Sequence, residues 1–359
     1  MSWIIGIIAI LLCLLLVIGS HELGHAVVAR WCGIKIHAIV FGFGKPLWTW
    51  CDNKGRKWIW ALWPLGGYVH LSDTRNQVVI PSQKKYCFDK KPIWMRIAVL
   101  SAGVIANLIL AWLALTVFFL IGHQETKPTI ASVQPNSIAV SAHLEPGETF
   151  LSIANHPTHS WQEVGMQLLM NFGKHQVPIS VQNSTGMRHQ SYLDLDQWPK
   201  KSHNHSLLSQ IGLTPDTALS QQYVVPGATL LQAMSTSWLT IVTLIHFYFI
   251  LLKQIVTGTV PFFLLLGPFS IVANILDSFK HGVAVFLYFI AHLNLVVAVV
   301  NLLPIPSLDG ASILYALIEK MRRKPMSVAF EVLLYRLSFI ALVLLWTQLI
   351  LNDLKRYIE

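Results

Sequence analysis

Two histidines stand four residues apart, His21 and His25, with Glu22 beside the first, in the run HELGH. Positions four apart on a helix lie about 40° apart around its axis. Both imidazoles can therefore reach one zinc ion (Zn2+), while Glu22 acts on the zinc-bound water as general base. The pattern directly follows an apolar run from Ser2 to Ser20 and should continue its helix. Placement adds to spacing here, because His and Glu at the edge of a membrane span are expensive and call for a functional partner. A polar helix end solvated at the membrane surface is the bland alternative.

A catalytic zinc takes a third protein ligand and leaves a position for water. The extension H-x-x-G-x-x-H fails at Val28 and Trp31, and the next glutamate after Glu22 is Glu125. The ligand must come from a distant element. Asp309, in NLLPIPSLDG at Asn301–Gly310, stands out because Pro304 and Pro306 break the helix before it and let the carboxylate turn inward. Taken alone, Asp309 before Gly310 reads as an ordinary turn; His292, Asp277, His246 and Glu319 are weaker candidates. Asn107 and Asn301, polar groups in apolar helices, are candidates to hold substrate, with helix-to-helix hydrogen bonding as the alternative. Gly66, Gly67 and Tyr68 offer a strand edge that an extended substrate could join, or else form a Gly-rich turn.

The elements that must position these residues are membrane elements. The chain has 359 residues, 54% of them hydrophobic and 12% charged, with a net charge of +9. A soluble domain is about 25% charged, so an ordinary cytosolic enzyme is excluded. The segment Arg30 to Arg96 holds 12 Lys and Arg against three acids and carries the whole excess. This is a topology signal, and no nucleic-acid partner is expected. Runs from Ser2 to Ser20, Ile93 to Gly122, Val283 to Leu303 and Ala329 to Leu351 are each long enough to cross a bilayer. Positive loops face the cytosol, which puts the Arg30 to Arg96 segment, the Lys320 to Lys324 cluster, HELGH and Asp309 on one side. The stretch from Thr229 to Leu276 is apolar but carries polar groups at three- and four-residue steps, and is read as interfacial. Four spans result. The four cysteines fit neither a zinc pair nor a disulfide framework.

The expected fold is a polytopic α-helical membrane protein with a cytosolic, membrane-associated β-hairpin region and one extracytoplasmic globular domain. Its parts are a first span with HELGH (1–32), a β-rich cytosolic segment (33–92), a second span (93–122) and the outer domain (123–226). There follow the interfacial region (227–280), a third span with LDG (281–312), a cytosolic loop (313–328), a fourth span (329–351) and a short tail (352–359).

Taken in order, HELGH, GFGKPLW at Gly42–Trp48, PLGGYV at Pro64–Val69, AGVIAN at Ala102–Asn107, GPFSI at Gly267–Ile271 and NLLPIPSLDG resemble the site-2 protease family of intramembrane zinc metalloproteases, most closely its bacterial regulator-of-sigma-E type. The resemblance covers nearly the whole chain. It implies zinc held by His21, His25 and Asp309, with Glu22 as catalytic acid/base. The implied substrates are transmembrane segments of single-span membrane proteins, such as anti-sigma factors or remnant signal peptides, cut in regulated proteolysis in the bacterial inner membrane. The outer domain resembles a PDZ domain, a site for a periplasmic partner, with Glu148 where Asp is usual and His143 where Gly is usual. Only one such domain fits, where many relatives carry two. Ala311 and Ser312 stand where the family often has Gly-His, Val104 where it has Pro, and Val296 where it often has Asn. The altered Ala311-Ser312 region motivates a competing expectation, an inactive membrane scaffold that binds partners through the PDZ-like domain.

Overall fold

The computed structural model describes residues 3–53, 55–75, 77–198, 207–218, 221–260, 265–324 and 326–358. The first helix has two parts, α1 (Trp3–Leu14) and α2 (Ser20–Trp31), joined by one π-helical turn at Leu15–Gly19. Then come strands β1 (Ile36–Cys51) and β2 (Lys57–Leu71) and helix α3 (Ile93–Ile121). The next part contains β3 (His123–Thr126), β4 (Ile130–Val133), α4 (Ile138–Ser141), β5 (Thr149–Ile153), β6 (His156–Pro157) and α5 (Trp161–Met170). It continues through β7 (Val177–Gln182), β8 (Arg188–Leu193), α6 (Leu207–Gln210), β9 (Leu213–Pro215) and β10 (Gln222–Val225). Helices α7 (Leu230–Val256), α8 (Pro268–Lys280), α9 (Val283–Asn301), α10 (Asp309–Arg322) and α11 (Val328–Ile358) complete the chain.

The chain divides into two compact units, and the first holds residues 1–118, 233–241 and 272–346. Trp3–Trp31 and α3 each run 29 residues, or about 43 Å at 1.5 Å per residue, against a hydrocarbon core of about 30 Å. Small residues set the packing of α2 against the strands: Ala26 and Ala29 meet Ile34, Ile36, Ile39, Phe88 and Val99 in a buried cluster. The hairpin turn is closed by Asp52, whose carboxylate accepts from the Arg56 backbone N–H and guanidinium. The start of β1 lies between the two ends of β2, so Ile39 pairs with Val69 on one side and with Trp58 on the other, and register irregularities run along β1 from Ile36 to Trp48. The outer part of β2, Gly67 to Leu71, pairs only with the start of β1 among the described residues. Leu47, Trp48, Trp50 and Trp63 lie exposed on the far part of the hairpin, an apolar surface suited to lipid rather than water.

The second unit holds residues 119–232, 242–271 and 347–359. Strands β6-β5-β7-β8 form its main antiparallel sheet, with smaller pairs β4-β9 and β3-β10. The alternating burial of β7 puts Val177, Val181 and Ile179 inward, onto a core with Phe150, Ile153, Val164, Leu168, Leu193 and Leu213. Helix α5 starts at Ser160, whose hydroxyl accepts from the Glu163 N–H and so satisfies one otherwise orphan donor.

Two features differ from the sequence reading. Among the described residues five helices are long and apolar enough to span: the four expected spans and α7, the stretch read as interfacial, which is a continuous helix of 27 residues. Its polar groups do not interrupt it: the Ser237 and Thr240 hydroxyls donate to the carbonyls of Ala233 and Thr236, bonds made within the helix itself. The region 281–312 is broken before Asp309, as Pro304 and Pro306 predict, but the expected loop after it is mostly helix. Helix α9 stops at Asn301, Pro304 and Pro306 occupy the break, and α10 starts at Asp309 and fills most of the expected 313–328 loop.

Candidate metal centre

HELGH lies in α2, one residue past the π-helical turn. The Ser20 hydroxyl donates to the Leu16 carbonyl at 2.6 Å and to Asn107 Oδ1 on α3 at 3.0 Å. A π turn loosens the helical ladder and is found often at functional sites; here the serine hydroxyl bonds to a carbonyl within that turn. His21, Glu22 and His25 follow on the buried side of α2.

Asp309 reaches them from the start of α10. Its carboxylate oxygen Oδ2 lies 3.1 Å from His21 Nε2 and 3.2 Å from His25 Nε2, and the two Nε2 atoms are 3.2 Å apart. Four ligands at 2.0–2.1 Å around a tetrahedral zinc stand about 3.3 Å from one another. The three donors thus already have the separations of a tetrahedron's edges. The His25 Nδ1 proton is donated to the Val99 carbonyl at 2.7 Å, which leaves Nε2 with its lone pair aimed at Asp309. Gly103 on α3 faces the cluster: a Cβ there would sit 2.4 Å from His25 Nε2 and 2.7 Å from His21 Cε1. Only a hydrogen fits. These features suit zinc: three convergent N and O donors, two buried and one half-buried, with one tautomer fixed.

The three donors open on a cleft of about 560 Å³ that Glu22, Gly66, Gly67, Tyr68 and Asn301 also line. The Glu22 carboxylate makes no hydrogen bond to the described residues, so both oxygens are available to a water. Gly67 lies against it, since a Cβ at that position would come within 2.8 Å of Glu22 Cγ. Asn301 donates to the Val297 carbonyl one turn earlier. Asn107 is fully buried, is absent from the cleft wall and bonds to Ser20, the helix-to-helix contact weighed as its alternative. Of the weaker ligand candidates, Glu319 pairs instead with Arg96 and Arg75. Sequence reasoning missed Val99, Gly103 and Ser20. A backbone carbonyl carries no residue signal, although Gly103 lies within AGVIAN.

The sequence profile of "Peptidase family M50" matches residues 9–345. "Regulator of sigma-E protease RseP" of Salmonella typhimurium is 28% identical, over 97% of this chain and 98% of its own length. "Regulator of sigma E protease" of Haemophilus influenzae is 27% identical over 99% and 100%. "Putative zinc metalloprotease" of Vibrio cholerae is 26% identical over 97% and 98%. These alignments run over 443 to 447 positions against 359 residues here, so the relatives carry inserted residues that this chain lacks.

Proposed function

This chain belongs to peptidase family M50 and is a multi-pass membrane zinc metalloendopeptidase, and we propose that His21, His25 and Asp309 hold its zinc while Glu22 serves as general base. The observation that carries the assignment is the triangle of donors 3.1 to 3.2 Å on each side. Zinc bound there supplies a lowered water pKa and a polarised scissile carbonyl. Glu22 receives the water's proton and passes it to the departing amine. Val99 keeps His25 in the tautomer that ligates, and Asp309 sits in the first turn of α10, where the helix dipole favours its negative charge.

A transmembrane substrate presents its peptide bonds already hydrogen-bonded within a helix and must be unwound first. The outer part of β2 has one edge unpaired among the described residues, at Gly67 to Leu71, beside Glu22. An extended substrate joining that edge exchanges its helical hydrogen bonds for strand bonds, with Gly66, Gly67 and Tyr68 as the contact and Asn301 lining the same cleft. The substrates are transmembrane segments of single-span proteins, including anti-sigma factors and remnant signal peptides.

The membrane is crossed four times, with HELGH and Asp309 toward the cytoplasm and residues 123–226 outside as a single PDZ-like domain that receives a partner. Two bonds support leaving α7 out of the crossings. Ala228 donates to Phe119 just before the helix, and Gln254 in its last turns donates to Leu169. Both flanks of α7 are thus tied within the second unit, whereas a crossing helix would separate them. The shorter length relative to the relatives fits one such domain.

The test is cleavage of a model single-span substrate by purified protein, with metal content measured alongside. Glu22→Gln should retain zinc and lose cleavage by at least 10²-fold. Asp309→Asn should lose zinc. Equal zinc content in wild type and Asp309→Asn would place the third ligand elsewhere.

A further inference from the structure

A second cavity, of about 520 Å³, lies in the first unit between the start of α3 and the last turns of α10. Its wall carries six cations, Arg75, Lys90, Arg96, Lys320, Arg323 and Lys324, against two carboxylates, Asp89 and Glu319. Both carboxylates are already engaged. Asp89 pairs with Lys90 at 2.9 Å, and Glu319 with Arg96 at 2.9 Å and Arg75 at 3.7 Å. Lys320, Arg323 and Lys324 have no ion pair among the described residues. Arg96, whose side chain is only 14% exposed, keeps a buried Nε with no hydrogen-bond partner. Arg75 is held as well by Asp73 at 3.2 Å and Glu331 at 3.5 Å, so the unbalanced charge sits on Lys320, Arg323 and Lys324. A concave wall with three unpaired cations and a buried unpaired donor is a binding site for an anion.

We propose that this cavity binds a phosphate group, with the headgroup of an anionic phospholipid as its source. The chemistry of the rim favours lipid over a free ion. Ile93 and Met326 line the wall beside the cations, and Ile93 is also the first residue of a span-length helix. The apolar side chains of Trp94 and Met321, each next to the wall in sequence, are exposed. A phosphate diester entering here brings its glycerol and acyl chains along that apolar surface, as basic pockets between membrane helices do. The site stands apart from the zinc cluster and shares no residue with its cleft.

The experiment uses the full chain in dodecyl maltoside, titrated with dioleoyl phosphatidylglycerol, dioleoyl phosphatidylcholine or inorganic phosphate, and reads bound ligand by native mass spectrometry and melting temperature. Each surface cation contributes about fivefold to binding of an anionic lipid. The triple change Lys320→Gln, Arg323→Gln, Lys324→Gln should therefore weaken phosphatidylglycerol about 100-fold. Its unliganded melting temperature should be unchanged, since these side chains are exposed. Removing three charges from the hairpin instead, by Lys35→Gln, Lys45→Gln and Lys57→Gln, should leave binding intact, and Lys320→Arg with Lys324→Arg should retain it. Inorganic phosphate that raises the melting temperature of wild type but not of the cavity variant would support the phosphate site and make the free ion its source. Equal binding of phosphatidylcholine, undiminished binding by the cavity variant, or equal loss in the hairpin variant would overturn the proposal. Neither zinc nor cleavage enters these readouts, so failure here leaves the peptidase assignment standing, and the reverse holds too.

Discussion

Gly103→Ala tests the metal centre without touching a ligand. The added Cβ would lie 2.4 Å from His25 Nε2, 2.7 Å from His21 Cε1 and 2.8 Å from His21 Nε2, where ordinary contact begins at 3.4 Å. About 1 Å must be recovered, several times the roughly 0.2 Å tolerance of a zinc–ligand bond. The His25 ring cannot simply swing away, because its Nδ1 proton is held by Val99 at 2.7 Å. Overpacking of this kind costs about 1–3 kcal/mol, which corresponds to about 5- to 150-fold in zinc affinity. The assay is competition for zinc against a chelator of known affinity, with bound metal counted by mass spectrometry. Gly24→Ala is the control: its Cβ would meet Ala102 O at 2.5 Å and Ala106 Cβ at 2.7 Å, so its closest contacts crowd α2 against α3 rather than an imidazole. That variant should melt at a lower temperature yet lose less zinc affinity than Gly103→Ala. Unaltered zinc affinity in Gly103→Ala would refute the reasoning, and so would equal weakening in Gly24→Ala.

Gly67→Val puts bulk beside Glu22, where even a Cβ comes within 2.8 Å of its Cγ; cleavage should fall about 10²-fold while zinc content stays full. Asp353 on α11 is fully buried and accepts from the backbone N–H groups of Gly267, Phe269 and Ser270 and from the Ser270 hydroxyl, at 2.6 to 3.1 Å. Asp353→Ala should cost about 1–3 kcal/mol, visible as faster amide exchange at Phe269 and Ser270. Burial raises the pKa of Asp89, but hydrogen bonds from the Thr74 hydroxyl and N–H outweigh it and hold the carboxyl at about 2. Because that is below the unfolded value of about 3.9, its stabilisation is complete above about pH 4 and is lost as pH falls toward 2. Amide exchange at Thr74 should rise across that window, and Asp89→Asn should remove the pH dependence.

How much of this was legible in the residues follows from the range of the forces involved. The two histidines and Glu22 share one helix, so a four-residue spacing already places both imidazoles on one side. Span lengths and the basic segment are likewise local sums, since lipid and water sort residues one stretch at a time. Asp309 could be nominated, because two prolines and an aspartate beside an apolar run are unusual, but its distance to the histidines could not be read. The four expected spans are among the five helices of that length in the described residues, the fifth being α7. The polar groups of α7 suggested an interfacial face, but that its hydroxyls bond back to their own helix could not be read from their spacing.

The sequence by itself determined the chemistry available, the apolar helices and the net positive charge of the segment after HELGH, because each depends on neighbours within a few turns. Only the tertiary structure decided that Asp309 closes a triangle with His21 and His25 and that Val99 fixes a tautomer. It also decided that Gly103 and Gly67 must lack side chains and that Asn107 accepts a hydrogen bond from Ser20 instead of lining the cleft. These are contacts between residues tens to hundreds of positions apart, set by how helices and a hairpin pack, and no local pattern encodes a separation of 3 Å across them.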